Sequence, residues 1–278
     1  MLRLAQTKNI QIRDVWFDLD MFFPAFINLY RRRDLLFALT AKELKTRYKS
    51  AVLGFLWAFL NPLLQMAVLS VVFTFIVRIP VQNYPLFLFA GLLPWAFFSQ
   101  SLVSGTGSLT ANRDLIKKAA FPREILPISI ILSNLINLLL SLAVLFPAML
   151  IFTKISWTLA LLPFVILLHV IFIVGIVLIA SSLDIYYRDV SFIVQALTLA
   201  WFYLTPVIYP VSMVPERFVD LYGANPMVGI ISLYRFALLG GNLPTVFAVA
   251  ASLFWAAALF ILGIIIFKKR EPLFADWI

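Results

Sequence analysis

Cysteine is absent from the 278 residues, which excludes disulfides, thiolate nucleophiles and cysteine-held metals. Charge is scarce. Asp, Glu, Lys and Arg make up 13% of the chain, against roughly 25% in an ordinary soluble domain, and this excludes a soluble globular enzyme. Intrinsic disorder is excluded as well, because 63% of residues are hydrophobic and 15% aromatic. No Gly-x-x-x-x-Gly-Lys-Ser/Thr run occurs. Gly105 and Gly107 have no lysine after them, so any ATP-driven work falls to a second polypeptide. A Ser-His-Asp set, metal-ligand spacing and paired membrane carboxylates are also missing, which argues against hydrolytic or transferase catalysis. The start of the chain, with Arg3, Lys8, Asp14, Asp18 and Asp20 dispersed, lacks signal-peptide order, and the chain is expected to keep it.

What remains is an integral membrane protein. Crossing a hydrocarbon layer of ~30 Å takes about 20 helical residues. Six segments qualify, at about 52–77, 86–110, 126–152, 157–183, 191–209 and 246–267, and none holds Lys, Arg, Asp or Glu. The expected fold is therefore all-α and polytopic. Pro62, Pro94 and Pro147 lie inside spans, where kinks are expected rather than helix ends. The 22 basic residues set the orientation. Ten precede residue 50; Arg113, Lys117, Lys118, Arg123, Arg188, Lys268, Lys269 and Arg270 share the same side, and only Arg78, Lys154, Arg217 and Arg235 fall on the other. Both termini are thus expected in the cytoplasm. The net charge of +9 follows from topology and anionic lipid, with no nucleic acid required.

Residues 1–30 form an N-terminal cytoplasmic extension. Residues 31–50 set Leu35, Leu36, Leu39 and Tyr48 against Arg31, Arg32, Arg33, Lys42, Lys45, Arg47 and Lys49, the pattern of a helix in the membrane interface or of a basic stop that only fixes topology. Residues 113–122 make a short polar cytoplasmic turn, either a connector or a docking knob. The external stretch 205–245 is too long for a turn and too apolar for a free loop; two short re-entrant helices near 212–222 and 226–239 fit it. Residues 271–278 are a cytoplasmic tail.

His169 has no partner carboxylate in any span, so a structural histidine bonded to a neighbouring helix is expected. Ser101, Gly105, Ser108 and Asn112 share one helical face, which should not meet lipid. Aromatic and weakly polar residues crowd the first, second and fifth spans: Phe55, Trp57, Phe59, Asn61 and Gln65; Trp95, Phe97, Phe98, Ser99 and Gln100; Trp201, Phe202, Tyr203, Thr205 and Tyr209. Small and polar residues can glue helices while aromatics form interfacial belts. Alternatively, rings that stack on sugar faces, together with uncharged hydroxyl and amide groups, make a pore for a polar polymer. On that reading the ten aromatics just named line the path.

Five stretches carry a resemblance: Lys42 to Pro62 (KELKTRYKSAVLGFLWAFLNP), Gly91 to Ser99 (GLLPWAFFS), Leu183 to Val190 (LDIYYRDV), Thr205 to Tyr209 (TPVIY) and Asn225 to Met227 (NPM). In this order they resemble the transmembrane permease subunits of ABC exporters for cell-surface polysaccharides, including O-antigen, capsule and wall teichoic acid. The resemblance implies a homodimer of six-span subunits in a bacterial inner membrane with two cytoplasmic ATPase subunits. Those partners, not this chain, bind ATP and Mg. It also implies an amphipathic helix before the first span and re-entrant helices before the sixth. Residues 113–122, with Arg113, Lys117, Lys118 and Arg123 in and beside them, become the coupling helix, and Glu43 and Arg47 lie on an interface helix that also touches the ATPase. The substrate implied is an undecaprenyl-linked glycan drawn through a central channel as ATP binding reorients its halves. An exporter of small lipids or drugs is the runner-up. A membrane-embedded glycan-modifying enzyme is the alternative of another class.

Overall fold

The structure is a computed structural model describing residues 27, 29–49, 51–152, 157–241 and 243–278; the side chains of 55, 59, 148 and 150–152 lie outside the description. The expected N-terminal extension is almost wholly outside it, as are the side chains of Phe55 and Phe59. Every regular element among the described residues is helical. The helices are α1 (Arg33–Tyr48), α2 (Trp57–Val71), α3 (Tyr84–Thr106), α4 (Ser108–Ala111), α5 (Arg113–Lys118), α6 (Ile125–Phe152), α7 (Leu162–Asp184), α8 (Asp189–Tyr203), α9 (Glu216–Gly223), α10 (Pro226–Leu239), α11 (Val246–Arg270) and α12 (Phe274–Trp277).

Helix α3 is central, packed against α2, α6, α7, α8 and α10. Leu88, Ala90, Leu92, Leu93 and Phe98 bury side chains in every direction around its axis, as a helix that is apolar all round must. The tightest pair is α7 with α11. A Cβ on Gly175 would lie 2.4 Å from the main chain of Leu259 and Phe260, and one on Gly263 would lie 2.5 Å from the Gly175 carbonyl oxygen. The absent side chains let the two backbones touch, the usual way membrane helices gain van der Waals contact. Gly105 leaves room for the Val177 side chain, and of the face expected to avoid lipid Ser101, Gly105 and Ser108 are buried while Asn112 is half-buried.

Among the described residues, four helices are long and apolar enough to cross a membrane: α3, α6, α7 with the turn before it, and α11. Pro94 and Pro147 sit inside helices that continue through them, and Pro62 inside α2. The first and fifth expected spans come out differently. Over 52–77 the chain forms a 3-10 turn (Gly54–Leu56), α2, and a π-helical turn (Val72–Ile76). Over 191–209 the helix ends at Tyr203, because Pro206 supplies no N–H and restricts the residue before it. The polar turn expected at 113–122 is helical only over Arg113–Lys118; the chain becomes extended at Ala119, ahead of Pro122.

The two short helices expected within 205–245 form, the first starting later than expected because Val211–Met213 makes a 3-10 turn and Pro215 precedes α9. Asn225 explains the start of the second. Its Oδ1 accepts from the Met227 N–H at 3.0 Å and from Trp201 Nε1 at 2.9 Å, while its Nδ2 donates to Thr205 Oγ1 at 3.1 Å. One side chain thus caps α10, where Pro226 occupies the first turn, and ties it to the end of α8.

Candidate functional site

Where α1 approaches α2, α3 and α6, a polar cavity of about 270 Å³ opens. Arg47, near the end of α1, donates from Nη1 to Asn134 Oδ1 at 2.7 Å and to Gln100 Oε1 at 3.2 Å. Asn134 passes its own Nδ2–H to Ser101 Oγ at 3.2 Å, and the Tyr48 hydroxyl donates to Asn137 Oδ1 at 3.3 Å. Burial raises the Tyr48 pKa, keeping the phenol a donor. The rest of the wall includes Trp57, Asn61 and Phe97. The arrangement supplies one cation, several uncharged amides and an aromatic face. These groups can hold hydroxyls and an anion, and no carboxylate or histidine is among the described residues that line the cavity.

From this cavity a stripe runs along α2. Trp57, Asn61 and Gln65 follow at four-residue spacing on one exposed face, with Trp57 37% exposed. On α8, Thr198 is the buried residue, and Gln195, Leu197 and Tyr203 are exposed. The other named aromatics whose side chains are described turn inward or are half-buried. Phe98 is fully buried, with ring centroids 5.3 Å from Trp95 and 5.1 Å from Trp201; Phe202 lies 5.5 Å from Trp95. Phe97 packs edge-on to His169 at 5.1 Å. His169 is itself buried with Nδ1 3.4 Å from the Tyr234 hydroxyl, the structural histidine expected. The half-buried Tyr209 donates to the Tyr203 carbonyl at 2.9 Å.

At the opposite end of α7, Asp184 is buried and accepts from Thr110 Oγ1 at 2.9 Å and from the Ser191 hydroxyl. It thereby joins the α3–α4 end to the start of α8. Next to it lies a cavity of about 360 Å³ bordered by Arg113, Asp184 and Arg188. Arg113, Lys117 and Lys118 are exposed on α5, whose Ile116 is buried and anchors the helix. Lys42 Nζ reaches Asn112 Oδ1 at 3.4 Å, linking α1 to the start of α5. Glu43 is half-buried on α1. Arg123 faces the C-terminal turn, its Nη1 donating to the Glu271 carbonyl at 2.9 Å and its N–H to Glu271 Oε1 at 3.0 Å. Lys268 bridges Glu124 at 2.6 Å and Glu271 at 2.9 Å.

Sequence reasoning missed Asn134, Asn137 and Arg235. Two asparagines three residues apart in a span whose other polar residues are serines were the available signal for the first two. For Arg235 the signal was a single cation within the apolar run Pro226–Leu239. No group of three or more His, Cys, Asp or Glu residues able to hold a metal occurs among the described residues.

Comparison with known proteins bears on what this geometry serves. Residues 34–239 match the ABC-2 type transporter family. The O-antigen export system permease protein RfbA of Myxococcus xanthus is 36% identical over 261 residues, covering 89% of this chain and 96% of that protein. RfbA of Klebsiella pneumoniae is 32% identical over 87% of this chain and 94% of its own length. The polysialic acid transport protein KpsM of Escherichia coli is 26% identical over 84% and 92%. With the matched region spanning α1 to α10 and a relative aligned over nearly its full length, the chain belongs to the ABC-2 type transporter family of membrane proteins.

Proposed function

We propose that the chain is the permease subunit of an ATP-driven exporter of an O-antigen-type polysaccharide, acting as a homodimer with two cytoplasmic ATPase subunits in a bacterial inner membrane. The observation that carries this reading is the Trp57, Asn61 and Gln65 stripe leading from the Arg47 cavity. Exposed amides at membrane depth do not face lipid readily, so this face belongs on a watery path or against another chain. Two copies meeting through α2 and α8 enclose such a path, with α2 and α8 as the first and fifth of six crossings and both termini cytoplasmic. Trp57 and Tyr203 then present rings to the passing glycan, with Phe55 and Phe59 on the same segment of chain as Trp57 and the half-buried Tyr209 behind Tyr203. Trp95, Phe97, Phe98, Trp201 and Phe202 form the wall behind them.

The glycan arrives on an undecaprenyl-type lipid, its linking phosphate drawn to Arg47 and its first sugars to Trp57 and the amides. ATP and Mg are held by the partner. Its closure pushes α5 through Arg113, Lys117 and Lys118, and α1 through Glu43 and Arg47. The Asp184 bridge carries that displacement to α8. Transport is a shift between two arrangements of the dimer, biased by ATP.

The test is export by Trp57→Ala, Gln65→Leu and the double variant. One ring stacked on a base in single-strand binding is worth roughly 1 to 3 kcal/mol, and a sugar face should lie at the low end. Each single change should therefore slow export modestly, and the double change should do so more, at normal membrane abundance and ATPase rate. Normal export by the double variant, or loss of protein before loss of export, removes the stripe from the path.

A further inference from the structure

Arg235 is the one cation in the buried set among the described residues, 9% exposed, and no acidic side chain pairs with it there. Its Nη1 donates to the Pro206 carbonyl at 2.7 Å, its Nη2 to the Val207 carbonyl at 2.6 Å and its Nε to the Phe87 carbonyl at 3.4 Å. The guanidinium carbon lies 3.6 Å from the centroid of the Phe87 ring, which covers one of its faces. Gly91 makes room for the head group; a Cβ there would sit 2.7 Å from Nη2. Carbonyl dipoles ease the burial of a unit charge without cancelling it. Of the five N–H groups of a guanidinium, only three are accounted for by these bonds.

Beside Arg235 is a cavity of about 370 Å³ between α9, α10 and the start of α11, and no carboxylate is among the described residues that line it. Ser232, Tyr222 and Thr245 bring hydroxyls to its wall. It lies at the far end of α3 from the Arg47 cavity, roughly 20 Å away at 1.5 Å per residue between Phe87 and Gln100. A planar fork with spare donors, a missing counter-charge and a serine hydroxyl on the wall of a half-open space are features that suit a phosphate.

We propose that this cavity is a binding site for a phosphate group, with Arg235 as its anchor and Ser232 as a further hydrogen-bond donor. An occupant there completes the neutralisation of Arg235 and holds α9 and α10 against the Thr205–Val207 turn. The phosphate can come from solution or from a phospholipid headgroup. The site stands independently of the polysaccharide reading.

The full chain, purified in detergent, is melted at constant ionic strength with inorganic phosphate replacing chloride. In a parallel arm the chain is placed in nanodiscs of phosphatidylcholine with or without phosphatidylglycerol. A saturable rise of the melting midpoint is expected in at least one arm. A rise with inorganic phosphate identifies the free anion as sufficient; a rise confined to phosphatidylglycerol identifies a lipid headgroup. Arg235→Lys, which keeps the charge and loses the fork, should bind about tenfold more weakly. Ser232→Leu leaves the carbonyl clamp intact, fills the cavity, and should lose the response even where Arg235→Lys does not fold. No saturable rise in either arm, or an unchanged response in Ser232→Leu, overturns the proposal.

Discussion

Arg47 illustrates how one side chain can be placed by pattern and positioned by its neighbours. The run of cations before the first span located α1, but periodicity gave no indication that this guanidinium reaches 2.7 Å from Asn134 in α6 and also contacts Gln100 in α3. Hydrogen bonds to a charged donor contribute about 1.5 to 3 kcal/mol. Arg47→Glu would set a carboxylate against two amide oxygens, so surface glycan should fall at least tenfold while the chain still inserts; Arg47→Lys should retain most export. Comparing surface glycan with membrane abundance in both variants checks this, and normal export by Arg47→Glu removes Arg47 from the path. The aromatics divide along the same line. Their identity was legible in the sequence, but their direction was not: Phe98 and Trp57 look equivalent in a list of rings, and only tertiary packing makes one fully buried and the other 37% exposed. Asn225 was legible as part of a motif, yet its tie to Trp201 spans 24 positions and depends on the turn at Pro206.

Among the elements, the long apolar helices were the most readable, since α3, α6, α7 and α11 each satisfy a length requirement that few other structures meet. Their ends and partners were less so. Hydropathy counts the apolar stretch Leu204-Thr205-Pro206-Val207 as helix, whereas backbone chemistry makes it a turn. Nor does an amphipathic pattern exist in a helix apolar on all sides to say that α7 pairs with α11. The glycines decide it. Gly175→Val should lower the stability of the detergent-purified chain by at least about 2 kcal/mol, because its Cβ would enter the main chain of α11. Gly107→Ala, whose Cβ would meet only Thr110 Oγ1 at 3.9 Å, should be neutral or slightly stabilising. Thermal midpoints of the two variants test this, and equal effects would remove the crossing as the cause.

For the whole molecule, the distribution of basic residues predicts which loops face which solution. The chain has no cysteine, so single substitutions report without background. Lys118→Cys and Lys269→Cys, both exposed, should be shielded from an impermeant thiol reagent in intact cells, and Gln82→Cys should react. Labelling of position 118 from outside would overturn the six-crossing arrangement. The early end of α8 has a further effect on the surrounding membrane. Its 15 residues cover about 22 Å, some 8 Å less than the hydrocarbon layer. A short apolar element of this kind is accommodated by lipid that thins around it. Two copies placed side by side would concentrate that thinning where a hydrophilic chain has to pass, shortening the apolar distance it must cross. Export in reconstituted vesicles should therefore be faster in lipids with shorter acyl chains and slower in thick, saturated ones, with the partner's ATP hydrolysis changing less than the glycan flux.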